Sequence, residues 1–167
     1  QANRTGFGPM PDGFDHVAFG NLNALRDALG PHVAAVMIEP VQGEGGARDA
    51  HDDYLRGMRA AADEFGALVI ADEVQSGIGR TGTLFAYETS GIRPDIIAVA
   101  KGLGGGFPVG AVIASAAVGN AMTPGTHGST FAGNPLAMAV SEAVLDTLTA
   151  PGFLADVRRR ADMLQDA

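Results

Sequence analysis

Apolar residues in this chain fall into two patterns: short unbroken runs, and longer stretches where they recur every three or four positions. Two of the runs, ALVIA at 67–71 and IIAVA at 96–100, read as strands buried on both faces of a parallel sheet. Each run is followed by one charged residue, Asp72 after the first and Lys101 after the second. A third run, VAAVMIE at 33–39, predicts a strand ending on Glu39, and GAVIAS at 110–115 predicts a fourth. The helical period predicts helices over 21–29, 52–65, 134–148 and 153–167. Asn21 is placed to cap the first, Gly66 to end the second, and Asn134-Pro135 to open the third. The third is apolar almost all round and is expected to be buried. Strand 33–39, helix 52–65 and strand 67–71 make a βαβ unit with a right-handed crossover. The loop 102–108 is too short to hold a crossover helix, so strand 110–115 is expected to run antiparallel to its neighbour. The expected fold is therefore α/β: a mostly parallel sheet with flanking helices and an antiparallel last strand.

Ligands of open α/β sheets sit outside the carboxyl ends of the strands, which makes Asp72 and Lys101 the first functional suspects. Lys101 follows five apolar residues and precedes a loop with four glycines, where backbone can approach a ligand closely. Taken out of water there, its amine suits a Schiff base with an aldehyde. A solvent-exposed strand-end lysine is the plain alternative. Asp72, buried at a strand end, would need a cation, although a helix cap or an ion-pair partner would also explain it. If the two strands are neighbours, their ends lie about 5 Å apart. An aspartate on a pyridinium nitrogen and a lysine on an aldehyde carbon are what pyridoxal phosphate (PLP) demands.

Other features narrow the field. The net charge of −8, with no basic cluster larger than Arg158-Arg159-Arg160, argues against nucleic acid or an anionic membrane as partner. That triplet has Asp156 and Asp162 beside it and reads as a solvated helix face. There is no cysteine, which excludes disulfides, cysteine zinc sites and thiol nucleophiles. No apolar stretch reaches membrane-spanning length, so a soluble cytoplasmic protein is expected. GIGRTG at 77–82 is a literal G-x-G-x-x-G, a dinucleotide-binding alternative that would need a helix to begin near Gly82. Glu39 and Glu44 form either an acid/base pair or two loop carboxylates bonded to backbone N–H groups. His51-Asp52-Asp53 looks like a metal cluster only on paper, because adjacent helical residues point apart; charge at a helix N-terminus explains it better.

Six stretches occur in order: EPVQGEGG at 39–46, ADEVQSG at 71–77, GRTG at 79–82, RPD at 93–95, AKGLGGG at 100–106 and HGSTFAGNP at 127–135. Together they strongly resemble the class III (ω-amino) aminotransferases of PLP fold type I. The resemblance implies that Lys101 holds the cofactor aldehyde and shuttles the substrate proton. It implies that Asp72 partners the pyridine nitrogen and that Gln75 hydrogen-bonds the phenolic oxygen. Thr130, with Ser129 beside it, would reach the phosphate of the other subunit's cofactor in a homodimer. Glu44 would gate an arginine for the substrate carboxylate, and Glu39 would lie on the cofactor side of the same motif. The implied reaction moves an amino group from an ω-amine, N-acetylornithine first among them, to 2-oxoglutarate, giving a semialdehyde and glutamate in arginine biosynthesis. Family members are more than twice as long as this chain. Residues 1–150 would then be the central part of the PLP-binding large domain, and 151–167 the start of the helix leading to a small C-terminal domain. The phosphate-holding loop and the aromatic that stacks on the cofactor ring would lie outside the chain. A non-catalytic piece of such an enzyme is the alternative reading.

Overall fold

A computed structural model of the chain describes Gly6 and residues 8–166. Its elements in chain order are α1 (Leu22–Ala28), β1 (Ala35–Ile38), β2 (Val41–Gln42), β3 (Arg48–Asp49), α2 (Asp52–Phe65), β4 (Leu68–Asp72), β5 (Ile96–Val99), β6 (Ala111–Ala114), α3 (Ala116–Gly119), α4 (Pro135–Thr149) and α5 (Phe153–Gln165). Two 3-10 turns, Ala86–Ser90 and Lys101–Gly104, flank β5. The main sheet has the order β1-β4-β5-β6, with β1, β4 and β5 parallel and β6 antiparallel, as the sequence led us to expect. The hairpin of β2 and β3 inside the glycine-rich loop was not expected.

The helices start and stop where the side chains allow. Asn21 Oδ1 accepts from the Ala24 N–H (3.0 Å) at the start of α1, and Asn134 Oδ1 from the Ala137 N–H (2.9 Å) at the start of α4. Gly66, at φ 72°, closes α2 in the left-handed region, where a Cβ would be penalised. Leu55, Met58, Ala61 and Ala62 form the buried stripe of α2. Each large one contributes about 1.5–3 kcal/mol by burial.

The strand register sorts the sheet into two unequal faces. Ile38 is level with Ala71, and Ala71 with Ile97, so Ile38, Val69, Ala71, Ile97 and Val99 share one side. All five are buried: Ile38 and Val69 in a cluster with α1 and α2, Ile97 and Val99 in a cluster with Leu103 and with Leu148 of α4. On the other side Met37 is 63% exposed and Val112 71% exposed, with Ile70 and Ala98 half-buried between them. The expectation that the strands are buried on both faces is therefore corrected, because α2, α4 and α5 pack on the same face. The all-round burial expected for α4 is corrected too. Ala137, Ser141 and Leu148 meet the core, whereas Leu136 is 60% exposed. Apolarity records what a helix would prefer to touch, and no other described element packs on the outer side of α4.

Asp95 ties three elements together. Its Oδ2 accepts from Arg59 Nη1 of α2 (2.7 Å) and from the Val69 N–H of β4 (2.8 Å). Its carbonyl accepts from the Ser115 N–H after β6 (2.8 Å). Burial pushes the Asp95 carboxyl up, but the Val69 N–H and the Arg59 guanidinium outweigh it and hold the group below its ordinary value of 3.8. A carboxyl lowered in the folded state contributes stability that is complete above its unfolded value and is lost as pH falls through the folded one. Asp95→Asn is expected to cost about 2 kcal/mol at pH 7. The gap should narrow in urea titrations below pH 4, as the wild-type carboxyl protonates. Wild-type and variant stabilities that stay parallel down to pH 3 would refute this account.

Candidate active site

The carboxyl ends of β1, β4 and β5 open on one edge of the sheet. Glu39 follows β1, Asp72 ends β4, and Lys101 follows β5 after Ala100. Asp72 is half-buried rather than buried, because it points to the uncovered face. Its Oδ1 accepts from the Val74 N–H (3.1 Å), and it pairs with no cation among the described residues. Glu39 Oε2 accepts from the Gly43 N–H (3.1 Å), so this carboxylate is bonded to backbone.

Lys101 lies at φ 43°, in the left-handed region. It is exposed rather than desolvated, since the sheet face beside it is open. It lines an open cavity of about 470 Å³ together with Gln75, Gly43, Ile78, Arg80 and Thr81. A Cβ built on Gly43 would fall 1.2 Å from Gln75 Oε1, so any side chain there would push the Gln75 amide aside. Ile78 also has positive φ, 55°, an outlier for a β-branched residue. The two strained positions are neighbours, since Ile78 packs 3.4 Å from where a Cβ of Gly102 would stand. Strain of this kind costs of order 1–3 kcal/mol per residue and concentrates where a site must be held in one shape.

Glu73 was passed over in the sequence. It is 0% exposed. Its Oε2 accepts from Ser76 Oγ (2.6 Å) and its Oε1 from the Tyr87 N–H (2.9 Å). The turn that carries Gln75 therefore folds around a buried carboxylate. The alternation Val69, Ala71, Glu73 along β4 was the available signal, since it puts Glu73 on the buried side.

The loop 77–82 is clamped from behind. Leu148 and Leu154 stand against Gly79, and the Arg158 side chain lies over Gly82 and donates to its carbonyl. All three arginines of 158–160 are exposed, as expected, but the Arg158 guanidinium reaches back to this loop while Arg159 and Arg160 pair with Asp156. No helix starts at Gly82; the next element is the turn Ala86–Ser90. The G-x-G-x-x-G therefore lacks the helix N-terminus a dinucleotide would use. Glu44, Ser129 and Thr130 are exposed and lie outside the cavity lining. Asp52 and Asp53 occupy the first turn of α2, as expected for helix N-terminal charge. Among the described residues no group of His, Cys, Asp and Glu is arranged to hold a metal, and no helix is long and apolar enough to cross a membrane.

This geometry has close counterparts. The family profile "Aminotransferase class-III" matches residues 3–167. The acetylornithine aminotransferase of Brucella melitensis is 54% identical over 156 residues, covering 93% of this chain and 39% of that protein. That of Agrobacterium fabrum is 56% identical over 153 residues, covering 92% of this chain and 38% of that protein. The ornithine aminotransferase of Toxoplasma gondii, whose active site holds PLP at partial occupancy, superposes with a TM-score of 0.92 at 38% identity, covering 97% of this chain and 38% of that one. The N-acetylornithine aminotransferase of Stenotrophomonas maltophilia does so with 0.83 at 40% identity, covering 94% of this chain and 41% of that one. The chain spans about two fifths of the length of these relatives. With a match over nearly its whole length, the chain belongs to the class-III aminotransferases, a PLP-dependent family.

Proposed function

We propose that this chain carries the reactive centre of a transaminase that moves an amino group from an ω-amine, N-acetylornithine foremost, to 2-oxoglutarate. The products are the corresponding semialdehyde and glutamate, the exchange used in arginine biosynthesis. The observation that carries this reading is the cavity shared by Lys101 and Gln75 at the carboxyl ends of β4 and β5, with Asp72 at the end of β4. The residues present fit PLP. The Lys101 amine and the Gln75 amide make no internal hydrogen bond among the described residues, and Asp72 has one carboxylate oxygen without a partner. Gly43 has no side chain to block the Gln75 amide.

When bound, PLP supplies an aldehyde that condenses with amines and a ring that takes up the electron pair released at the substrate carbon. Lys101 Nζ would hold the aldehyde carbon, then take the proton from the amine-bearing carbon of the substrate and return it. The Asp72 carboxylate would keep the ring nitrogen protonated, and the Gln75 amide would donate to the phenolic oxygen. Glu39 would stay on the cofactor side as a backbone anchor. Glu44 would face a substrate-carboxylate arginine and release it for one of the two substrates. Ser129 and Thr130 would serve the phosphate of a second copy, which makes a homodimer the working form. Residues 1–150 would be the central part of the large domain, and 151–167 would lead to a smaller one.

The relatives' names support the donor class, and the acetylornithine enzymes carry the higher identities. The test is chemical. The protein is incubated with PLP, reduced with borohydride and digested, and the modified peptide is located by mass spectrometry. Modification at Lys101 is expected; modification elsewhere, or none, overturns the assignment.

A further inference from the structure

We infer that Arg80 is an oxyanion-binding residue of the Lys101 cleft and that its ligand there is a substrate carboxylate. The inference rests on the transaminase reading and adds to it a second point of contact for the substrate.

Arg80 lines the same cavity as Lys101, Gln75 and Thr81, and no Asp or Glu contributes to that lining. Two cations thus face one concave space without a compensating carboxylate, an arrangement that draws anions in. Most arginines of the described chain are engaged: Arg26 with Glu64, Arg56 with Asp53, Arg59 with Asp95, Arg159 and Arg160 with Asp156, and Arg158 with the Gly82 carbonyl. The Arg80 guanidinium makes no ion pair or hydrogen bond among the described residues. Its backbone is fixed, because Ile78 packs on Gly102 in front, and Leu148, Leu154 and Arg158 press on Gly79 and Gly82 behind. The rigid loop keeps the Arg80 side chain rooted at the edge of the cleft, and its guanidinium offers a planar fork that suits bidentate capture of a carboxylate.

A phosphate oxyanion shares this chemistry. The cleft favours the carboxylate, because a resident phosphate is best held by several backbone N–H groups at a helix N-terminus, and no helix starts at Gly82. A carboxylate needs little beyond the fork itself.

The test compares wild type, Arg80→Gln and Arg80→Lys in two measurements on the purified protein. PLP uptake is followed by visible absorbance. Glutarate, a dicarboxylate with no amino or oxo group to react, is then titrated calorimetrically into the PLP-loaded protein. Arg80→Gln is expected to raise the glutarate Kd roughly tenfold to a hundredfold, the scale of one charge-assisted contact, with PLP uptake unchanged. Arg80→Lys should fall between, because it keeps the charge and loses the fork. Arg80 is exposed, so Tm should not move. Equal glutarate affinity in all three, or no glutarate binding by the PLP-loaded wild type, overturns the inference. Weakened PLP uptake with glutarate affinity retained assigns the arginine to the cofactor phosphate and overturns it as well. Failure of the wild type to take up PLP overturns the reading of the cleft itself, and the inference with it.

Discussion

Lys101→Ala is expected to lower transaminase turnover by at least about a thousandfold while leaving the fold intact. Both halves of that expectation come from where the residue sits. Among the residues that line the cavity beside Gln75, Lys101 alone brings a primary amine, and a proton taken from the substrate carbon would have no other base there to go to, since no carboxylate or imidazole is in that lining. The side chain is exposed, so its removal uncovers no core. Alanine also keeps the Cβ, so the backbone at φ 43° is as strained after the substitution as before it. A loss of activity with unchanged Tm therefore isolates the amine. Lys101→Gly is the companion experiment. It removes the amine and the Cβ together, so turnover should collapse equally while stability rises by up to about 1 kcal/mol. A glycine variant that unfolds more easily than the alanine variant would show that no strain is stored at this position. An alanine variant with turnover close to wild type would remove Lys101 from the chemistry.

The two strand-end residues, Lys101 and Asp72, also show what the sequence could and could not disclose. Lys101 and Asp72 were legible because their signals are local: an unbroken apolar run gives a strand, and the first charged residue after it gives the strand's carboxyl end. The antiparallel course of β6 was legible from the length of one loop. Three features were hidden because they depend on distant parts of the chain. Arg158 meets Gly82 across 76 positions, so nothing near either residue announces the contact. The hairpin of β2 and β3 consists of two-residue strands, too short to carry any period. Coverage of the sheet is a property of where helices land. The pattern of β4 shows that Ile70 could be buried, but α2, α4 and α5 cover the side of Val69, and Asp72 follows Ile70 onto the open face. This is why the carboxylate expected to be buried is only half-buried. The buried one is its neighbour, Glu73.

Glu73→Ala is expected to cost about 3 kcal/mol of stability, a large loss for a residue that touches no substrate. The side chain is fully enclosed and accepts from Ser76 Oγ at 2.6 Å and from the Tyr87 N–H at 2.9 Å. Truncation would leave the Tyr87 N–H without an acceptor in the interior and open a void beneath the turn. The effect should reach the site, because the Glu73 carbonyl accepts from the Gly77 N–H (2.9 Å) and closes the turn that holds Gln75. PLP affinity should therefore fall together with the urea midpoint. Glu73→Gln separates geometry from charge. The amide oxygen can keep the bond from Tyr87, and the amide nitrogen can donate to Ser76 once its hydroxyl rotates, so both contacts survive in the same space. The glutamine variant should lose less than about 1 kcal/mol, and the Ser76→Ala and Glu73→Ala effects should be less than additive in a double-mutant cycle. If glutamine proves as damaging as alanine, the turn requires the charge itself, and the hydrogen-bond account of this residue fails.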